Sequence, residues 1–416
     1  MSRARDGAAV VPAISAPSSV ALLRSLGRND VHTLAVSELE HPPSFRSRYV
    51  DERITVAKAE DNIDAYRDEL LTLARRDDVR TILPVREYDV YALASNRSAF
   101  ADHVAPIWPT AESLRTVHDR SELFEVAERA DVEVPETRLL TEVEDWDRER
   151  IVKGRFAVLV DEYVDSVPSG TIGSPPKTIF LEPGTQPYVE SIVDEMGHVP
   201  ITQEYVRGTE YCLRALYHDG EPVATSQKRL RRGYKYSRGP SIYHEAVDVP
   251  ELQAAGLRLL DELDWEGIAS VGFIRDDAGR FNLLEVNPRF PASIPLDIHA
   301  GVDYPAYVWQ LATDLPLDPP ADYRPGTASH LIRGEGAHLH SVLFEDYPMV
   351  ERPSFWRTVW DVASSTVRHP RFDVASLDDP GPFVQDTWNA VRGSVEKSGT
   401  GVGDSWNTVR SALGLR

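Results

Sequence analysis

Apolar and polar positions recur at two periods along the chain, and the switches between them mark out its elements. Between residues 8 and 107, short apolar runs alternate with stretches whose apolar residues fall three and four apart. Residues 9–11, 31–36 and 80–85 read as strands, and residues 19–26, 61–75 and 87–100 as helices. Alternation of this kind predicts a parallel sheet with helices on both faces. The turn over residues 13–17 lacks Gly-x-Gly-x-x-Gly, so a dinucleotide site has no support there. Further on, residues 121–130 form an amphipathic helix, and 211–217 with 221–226 a hairpin around Asp219-Gly220. Residues 251–263 and 298–311 read as helices, and residues 316–325 as a linker. The strand predicted after the linker carries His330, Arg333, Glu335, His338 and His340.

The most informative pattern is Phe281-Asn282-Leu283-Leu284-Glu285-Val286-Asn287-Pro288-Arg289. With residues 271–274 and the turn Asp276-Asp277-Ala278-Gly279, it predicts a β-hairpin. A period of two puts Leu283, Glu285, Asn287 and Arg289 on one face, and Leu284 and Val286 on the other. A carboxylate, an amide and a guanidinium therefore line up at a strand end. Gly272 falls on the same face as Glu285.

Composition narrows the function classes. The 416 residues are enough for two or three domains, and a formal charge of −21 argues against general nucleic-acid binding. Lysine is scarce: Lys58, Lys153, Lys177, Lys228, Lys235 and Lys397 are all there are, and excess acid with little lysine resembles a halophilic composition. The basic run from Lys228 to Arg238, in which 231–238 reads as a loop, suits a polyphosphate and a carboxylate. The single cysteine, Cys212, excludes an internal disulfide and fits a cytoplasmic protein. Pro12 and Pro17 interrupt the first apolar stretch, so a first strand and helix explain it better than a signal peptide, and no apolar run is long enough for a membrane span. His338 and His340 share a face on the predicted strand but lack a clear third metal ligand.

Glu285-x-Asn287-x-Arg289 after an apolar strand resembles the end of the nucleotide site in the ATP-grasp superfamily, in its carbamoyl phosphate synthase-like or carboxylate–amine ligase branch. The resemblance extends to Gln203-Glu204-Tyr205-Val206-Arg207-Gly208-Thr209-Glu210, similar to the family hinge, and to Lys153 at a strand end. It implies that ATP is held by Arg120, Lys153, Gln203, Glu204, Val206 and Glu210. It implies that Mg²⁺ is held by Glu285 and Asn287, and that Arg289, Lys228 and Arg229 act on the substrate. Departures from the family are equally specific: Arg120 replaces a lysine, Gln203 an acid, and Gly272 a carboxylate, while residues 167–177 are poor in glycine where a glycine-rich loop is usual.

The expected fold is α/β: a parallel-sheet pre-ATP-grasp domain over residues 1–107, then a two-subdomain α+β ATP-grasp domain over residues 108–314. A linker and C-terminal strand region occupies residues 315–350, and a helical tail residues 351–416. In that tail Asp-Thr-Trp-Asn-Ala-Val-Arg at 386–392 recurs as Asp-Ser-Trp-Asn-Thr-Val-Arg at 404–410, an offset of 18 residues. The resemblance implies an ATP-dependent ligase that activates a small carboxylate as an acyl phosphate for an amine or similar nucleophile. Small-molecule substrates, no nucleic acid and no membrane span are expected, and a homo-oligomer is compatible. The competing expectation is a non-catalytic nucleotide-binding or regulatory protein with a degenerate site.

Overall fold

The computed structural model describes residues 7–317, 323–347 and 349–398. Its first unit contains β1 (Ala8–Pro12), α1 (Pro17–Arg28), β2 (His32–Ser37), β3 (Glu52–Thr55), α2 (Ile63–Ala74), β4 (Val79–Ile82), α3 (Glu87–Ala94) and α4 (Arg97–Ala101). The strands form a parallel sheet in the order β3-β2-β1-β4, as the alternation predicts. All five residues of β1 are buried, because a central parallel strand is covered on both faces. Two details differ from the sequence expectation. The edge strand β3 is polar at Glu52 and Arg53 and gives no apolar signal, while the helix expected over 87–100 stops at Ser95 and restarts after Asn96.

The second unit opens with α5 (Ala111–His118) and α6 (Arg120–Arg129), where the Asp119 carboxylate caps α6 by accepting from the Ser121 amide at 3.0 Å. It continues with β5 (Thr137–Leu139), β6 (Arg150–Lys153), β7 (Ile179–Leu181), α7 (Val189–Met196) and β8 (Ile201–Glu204). These strands make a small antiparallel sheet in the order β5-β8-β6-β7. Leu140, Val152, Leu181, Ile192 and Met196 form its own core.

The third unit holds β9 (Thr209–His218), β10 (Glu221–Lys235), β11 (Arg238–Ala246), α8 (Pro250–Glu262), β12 (Gly267–Arg275), β13 (Phe281–Asn287), α9 (Ile294–Ala300), α10 (Tyr304–Ala312) and β14 (Ala328–His330). Its six antiparallel strands run β13-β12-β9-β10-β11-β14. The predicted basic loop over 231–238 is instead the end of a long β10–β11 hairpin. The helix predicted over 298–311 breaks at Gly301, whose φ of 100° ends α9. Because β14 completes this sheet, a boundary at residue 314 separates a strand from its own layer.

The remaining helices are α11 (Ile332–Phe344), α12 (Phe355–Arg368) and α13 (Gly381–Ser398). The strand expected to carry His338 and His340 is therefore helical. Its buried residues Gly334, Glu335, His338, Ser341 and Val342 follow a three-to-four period. His338 reaches the Gly233 carbonyl at 2.8 Å while His340 packs on Phe344, so the two do not share a face. Helix α13 lies against the turn Pro43–Arg46 of the first unit, and a Cβ at Gly381 would come within 2.2 Å of the Arg46 carbonyl oxygen. It carries the first Trp repeat, and the second copy at 404–410 lies outside the described residues.

Candidate functional site

The small and large sheets are joined directly by residues 205–208, and a cleft of about 1070 Å³ lies between them. Gly208 makes the joint fit: a Cβ there would sit 2.1 Å from the Arg275 carbonyl oxygen. The Tyr205 amide donates to the Glu149 carbonyl at 3.0 Å, tying the joint to the strand that ends at Lys153. Ile151, Phe180, Tyr205 and Leu284 give this end an apolar lining.

Register explains the opposite wall. Glu285 pairs with Gly272, Gly272 with Cys212, and Cys212 with Lys228, so one row across four strands faces the cleft. The hairpin contains a bulge: Gly272 pairs with Glu285 but Phe273 with Leu283, leaving Leu284 as the extra residue. That insertion turns Leu283 into the core beside Val286 and brings Leu284 to the cleft with Glu285, Asn287 and Arg289. The expected facing of Leu283 and Leu284 is thereby reversed, since strict alternation holds only without an inserted residue. Gly272 keeps the expected face, and a Cβ on it would meet Glu285 Cγ at an ordinary 3.5 Å.

A polar chain runs from this strand end into the first unit. Asn287 Nδ2 donates to Glu285 Oε1 at 2.9 Å, and Arg289 Nη2 donates to Asn287 Oδ1 at 3.0 Å. Arg289 Nε lies 3.2 Å from Glu87 Oε1, whose other oxygen lies 3.4 Å from His118 Nε2. Burial alone raises the Glu87 carboxyl, but His118, Arg289 and Arg120 outweigh it and hold the group below its ordinary range. Glu87 was not signalled by the sequence motifs, because it arrives from a different domain at the first residue of α3.

Four of the six lysines, Lys153, Lys177, Lys228 and Lys235, line the cleft. Among the described residues no carboxylate forms an ion pair with Arg120, Lys153 or Lys228. Arg120 Nη1 donates to the carbonyls of Gly154 at 2.7 Å and Phe156 at 3.1 Å, while Lys153 Nζ stands 5.6 Å from the Phe124 ring centre. Burial, then the neighbouring Arg120 charge, brings the Lys153 ammonium down to about 7 despite Glu285. Burial followed by Arg214 also lowers Lys228. Several cations crowded together without counter-ions form a site that gains from a bound polyanion.

The other expected residues fall in different places. Glu210 lines the cleft. Gln203 pairs with Ile151 across β8 and β6, which puts it on the same side of the small sheet, where its amide donates to Thr137 Oγ1 at 3.0 Å. Glu204 pairs with Arg150 on the reverse side, so only its main chain is available to the joint. Val206 belongs to the joint itself and does not line the cleft. Arg229 is directed away from the cleft: its Nη2 reaches Glu245 Oε2 at 2.7 Å, because adjacent strand residues face opposite ways and Lys228 takes the inner side.

The segment 167–177 is also better fixed than its polar sequence suggests. The Ile63 amide donates to the Gly170 carbonyl at 2.9 Å, and Tyr88 Oη lies 2.8 Å from Ser174 Oγ. Pro175, Pro176 and Lys177 thus reach the cleft from a segment tied to the first unit.

The donor set suits a nucleotide polyphosphate, with Arg120, Lys153 and Lys228 free of carboxylate partners and an apolar lining near the joint. For Mg²⁺, Glu285 and Asn287 supply two oxygen donors, and phosphate and water would have to complete an octahedral shell. Among the described residues, no three His, Cys, Asp or Glu side chains cluster for a metal, and no helix is long and apolar enough to cross a membrane.

Residues 199–331 match the family described as "ATP-grasp in the biosynthetic pathway with Ter operon". No curated protein sequence matches the chain. Among solved structures, the biotin carboxylase domain of Hydrogenobacter thermophilus 2-oxoglutarate carboxylase, in complex with MgADP, ADP and bicarbonate, is similar at 15% identity. That match covers 77% of this chain and 73% of the other, with a TM-score of 0.57. Carboxyaminoimidazole ribonucleotide synthase from Aspergillus clavatus, complexed with ATP, is 14% identical over 78% of this chain and 81% of its own, with a TM-score of 0.57. Phosphoribosylglycinamide synthetase from Anaerococcus prevotii is 12% identical over 77% and 79%, with a TM-score of 0.53. The chain thus shares the ATP-grasp fold of these structures, and its stretch from the hinge through the large sheet matches an ATP-grasp family model.

Proposed function

We propose that the protein is an ATP-dependent ligase that activates a small carboxylate as an acyl phosphate, which an amine or similar nucleophile then attacks. The observation that carries this reading is the set of unpaired cations, Arg120, Lys153 and Lys228, in one cleft with the Glu285–Asn287–Arg289 strand end. Arg120 and Lys153 would hold phosphate oxygens, and Glu285 and Asn287 would hold Mg²⁺. Gln203, the Glu204 carbonyl, the Val206 amide and Glu210 are assigned to the base and ribose at the joint. Bound MgATP supplies the transferable phosphoryl group and the metal charge that stabilises it. The chain's own contribution is to orient the carboxylate at Arg289, which Asn287 and Glu87 fix from two sides, and to neutralise charge with Lys153 and Lys228.

Colorimetric and coupled measurements of phosphate and ADP release, across amino acids and other carboxylates, test the reading. Release that requires a carboxylate and falls at least ~100-fold in Glu285→Gln, the scale of losing a key electrostatic group, is expected. Release indifferent to Glu285 would remove the metal assignment. Gly272 motivates one other reading, a nucleotide-binding regulatory protein, because it leaves Glu285 as the sole motif carboxylate on the facing strands. Tight ATP binding with no ADP formed across the whole panel would favour it.

A further inference from the structure

The cleft has another charged end, which the nucleotide assignment leaves unused. After α12 the chain returns to the large sheet: the His330 amide donates to the Arg371 carbonyl at 3.0 Å, and the Asp373 amide to the His330 carbonyl at 2.9 Å. This brings Asp373, 3% exposed, to the cleft wall beside Ser241, Leu331 and Arg333. Its Oδ1 accepts from Ser329 Oγ at 2.7 Å and lies 3.3 Å from His244 Nε2. His244 Nδ1 in turn lies 3.0 Å from Ser241 Oγ. From α9, His299 Nε2 approaches the adjacent Phe372 carbonyl at 3.4 Å.

Asp373 therefore meets hydroxyl and imidazole groups but no ammonium or guanidinium among the described residues. Arg333, on the same wall, is already engaged by Asp386 at 3.1 Å and by the Ser15 carbonyl at 2.7 Å. Burial pushes the Asp373 carboxyl up, yet His244, Ser329 and His299 together hold it below its ordinary range, so it is anionic at neutral pH. Buried charges are normally paired, and this one opens on a ligand cleft.

Position separates it from the metal and phosphate groups. Glu285 and Asn287 sit on β13 and Ser329 on β14, opposite edges of a six-stranded sheet. Five intervals of roughly 4.8 Å put those edges ~24 Å apart along the sheet. Asp373 must then read a different part of whatever fills the cleft. It also lies beyond residues 199–331, so the family match does not account for it.

We propose that Asp373 is a subsite for a protonated amino group remote from the reacting centre, so that the preferred substrate is an elongated carboxylate bearing a terminal ammonium. The orientation, carboxylate toward Arg289 and ammonium toward Asp373, rests on the ligase reading; the cation subsite itself does not.

The test compares hexaglycine, whose terminal ammonium and carboxylate stand roughly 20 Å apart when extended, with N-acetylhexaglycine, which keeps the carboxylate and lacks the ammonium. Calorimetry is run on the full chain with Mg²⁺ and a non-hydrolysable ATP analogue. Hexaglycine is expected to bind at least tenfold more tightly than its acetylated form, and Asp373→Asn to reduce that preference to within twofold while leaving analogue affinity unchanged. Absence of a preference in the unsubstituted protein, including absence of binding by both probes, overturns the proposal, as does a preference that survives Asp373→Asn. Should Asp373→Asn fail to fold, Asp373→Glu replaces it: a reduced but retained preference supports the subsite, and an unaltered one rejects it. ADP release is followed separately. An Asp373-dependent preference for hexaglycine without ADP release keeps the subsite and rejects the ligase reading, whereas ADP release without that preference does the reverse.

Discussion

Lys153 concentrates the electrostatics of the cleft in one side chain. Its amino group, brought to about 7 by burial and Arg120, is shed of its proton well below the ordinary lysine value of 10.5. Between those values the unfolded chain holds a proton that folded Lys153 has lost, so this group's contribution favours the free folded protein increasingly as pH rises through that window. Phosphate reverses the balance by restoring the charged form. Nucleotide binding at pH 8 is therefore expected to take up protons, and affinity to fall as pH rises from 7 to 9. Calorimetry in buffers of different ionisation enthalpy measures the uptake. Lys153→Met should abolish it and weaken binding by about 1.5–3 kcal/mol, the scale of a hydrogen bond to a charged group. Equal uptake in both proteins would move the phosphate contact to another residue.

At the scale of elements, the tail is the part whose role the structure changes most. Sequence alone makes residues 351–416 a helical tail whose last part, 381–416, is dispensable for nucleotide binding, since every assigned ATP residue lies between Arg120 and Arg289. Helix α13, however, seats Gly381 on Arg46 and directs Asp386 to Arg333 on the cleft wall. Asp379, just before it, accepts from Arg24 Nε at 2.8 Å and Ser47 Oγ at 2.7 Å in a buried contact with the first unit. Truncation before Gly381 is expected to leave ATP affinity within about twofold, because the joint and the unpaired cations are untouched, while lowering the unfolding midpoint by ~1–2 °C, as loss of ~1–2 kcal/mol does in a chain of this size. Scanning calorimetry and nucleotide titration of one truncated protein separate the two effects, and lost ATP binding in a folded truncation would mean that the tail belongs to the nucleotide site. The contrast shows what local pattern can carry. The β1–α1–β2 alternation and the hinge segment are written in contiguous residues, and so are Lys153 and the Glu285–Asn287–Arg289 ladder. The Leu284 bulge depends on register against Phe273, the Glu87–Arg289 pair on two domains meeting, and Asp373 on a chain return after α12. None of these leaves a periodic trace, and His338-x-His340 left a misleading one.

The whole molecule sets a strongly acidic body around a cationic cleft. A formal charge of −21 repels itself in the folded state, so added salt should relieve strain that extended, mostly exposed carboxylates impose. Inside the cleft the sign is opposite: Arg120, Lys153 and Lys228 lack carboxylate partners, so salt competes with any anion that approaches them. Raising KCl from about 0.05 to 0.5 M shortens the screening length from ~14 Å to ~4 Å, below the spacing of many surface charges but less effective between partly buried groups in contact. Stability and nucleotide affinity are thus expected to move in opposite directions. The unfolding midpoint should rise with KCl, while ATP affinity should fall by severalfold rather than vanish, since its phosphate contacts are short. Choline chloride at matched ionic strength gives the same two trends if screening is responsible, and a response confined to KCl points to specific ion binding instead. A midpoint that falls with both salts would show that the acidic surface is held by its Arg–carboxylate pairs, such as Arg76–Glu52 and Arg67–Asp68, more than it is strained by its net charge.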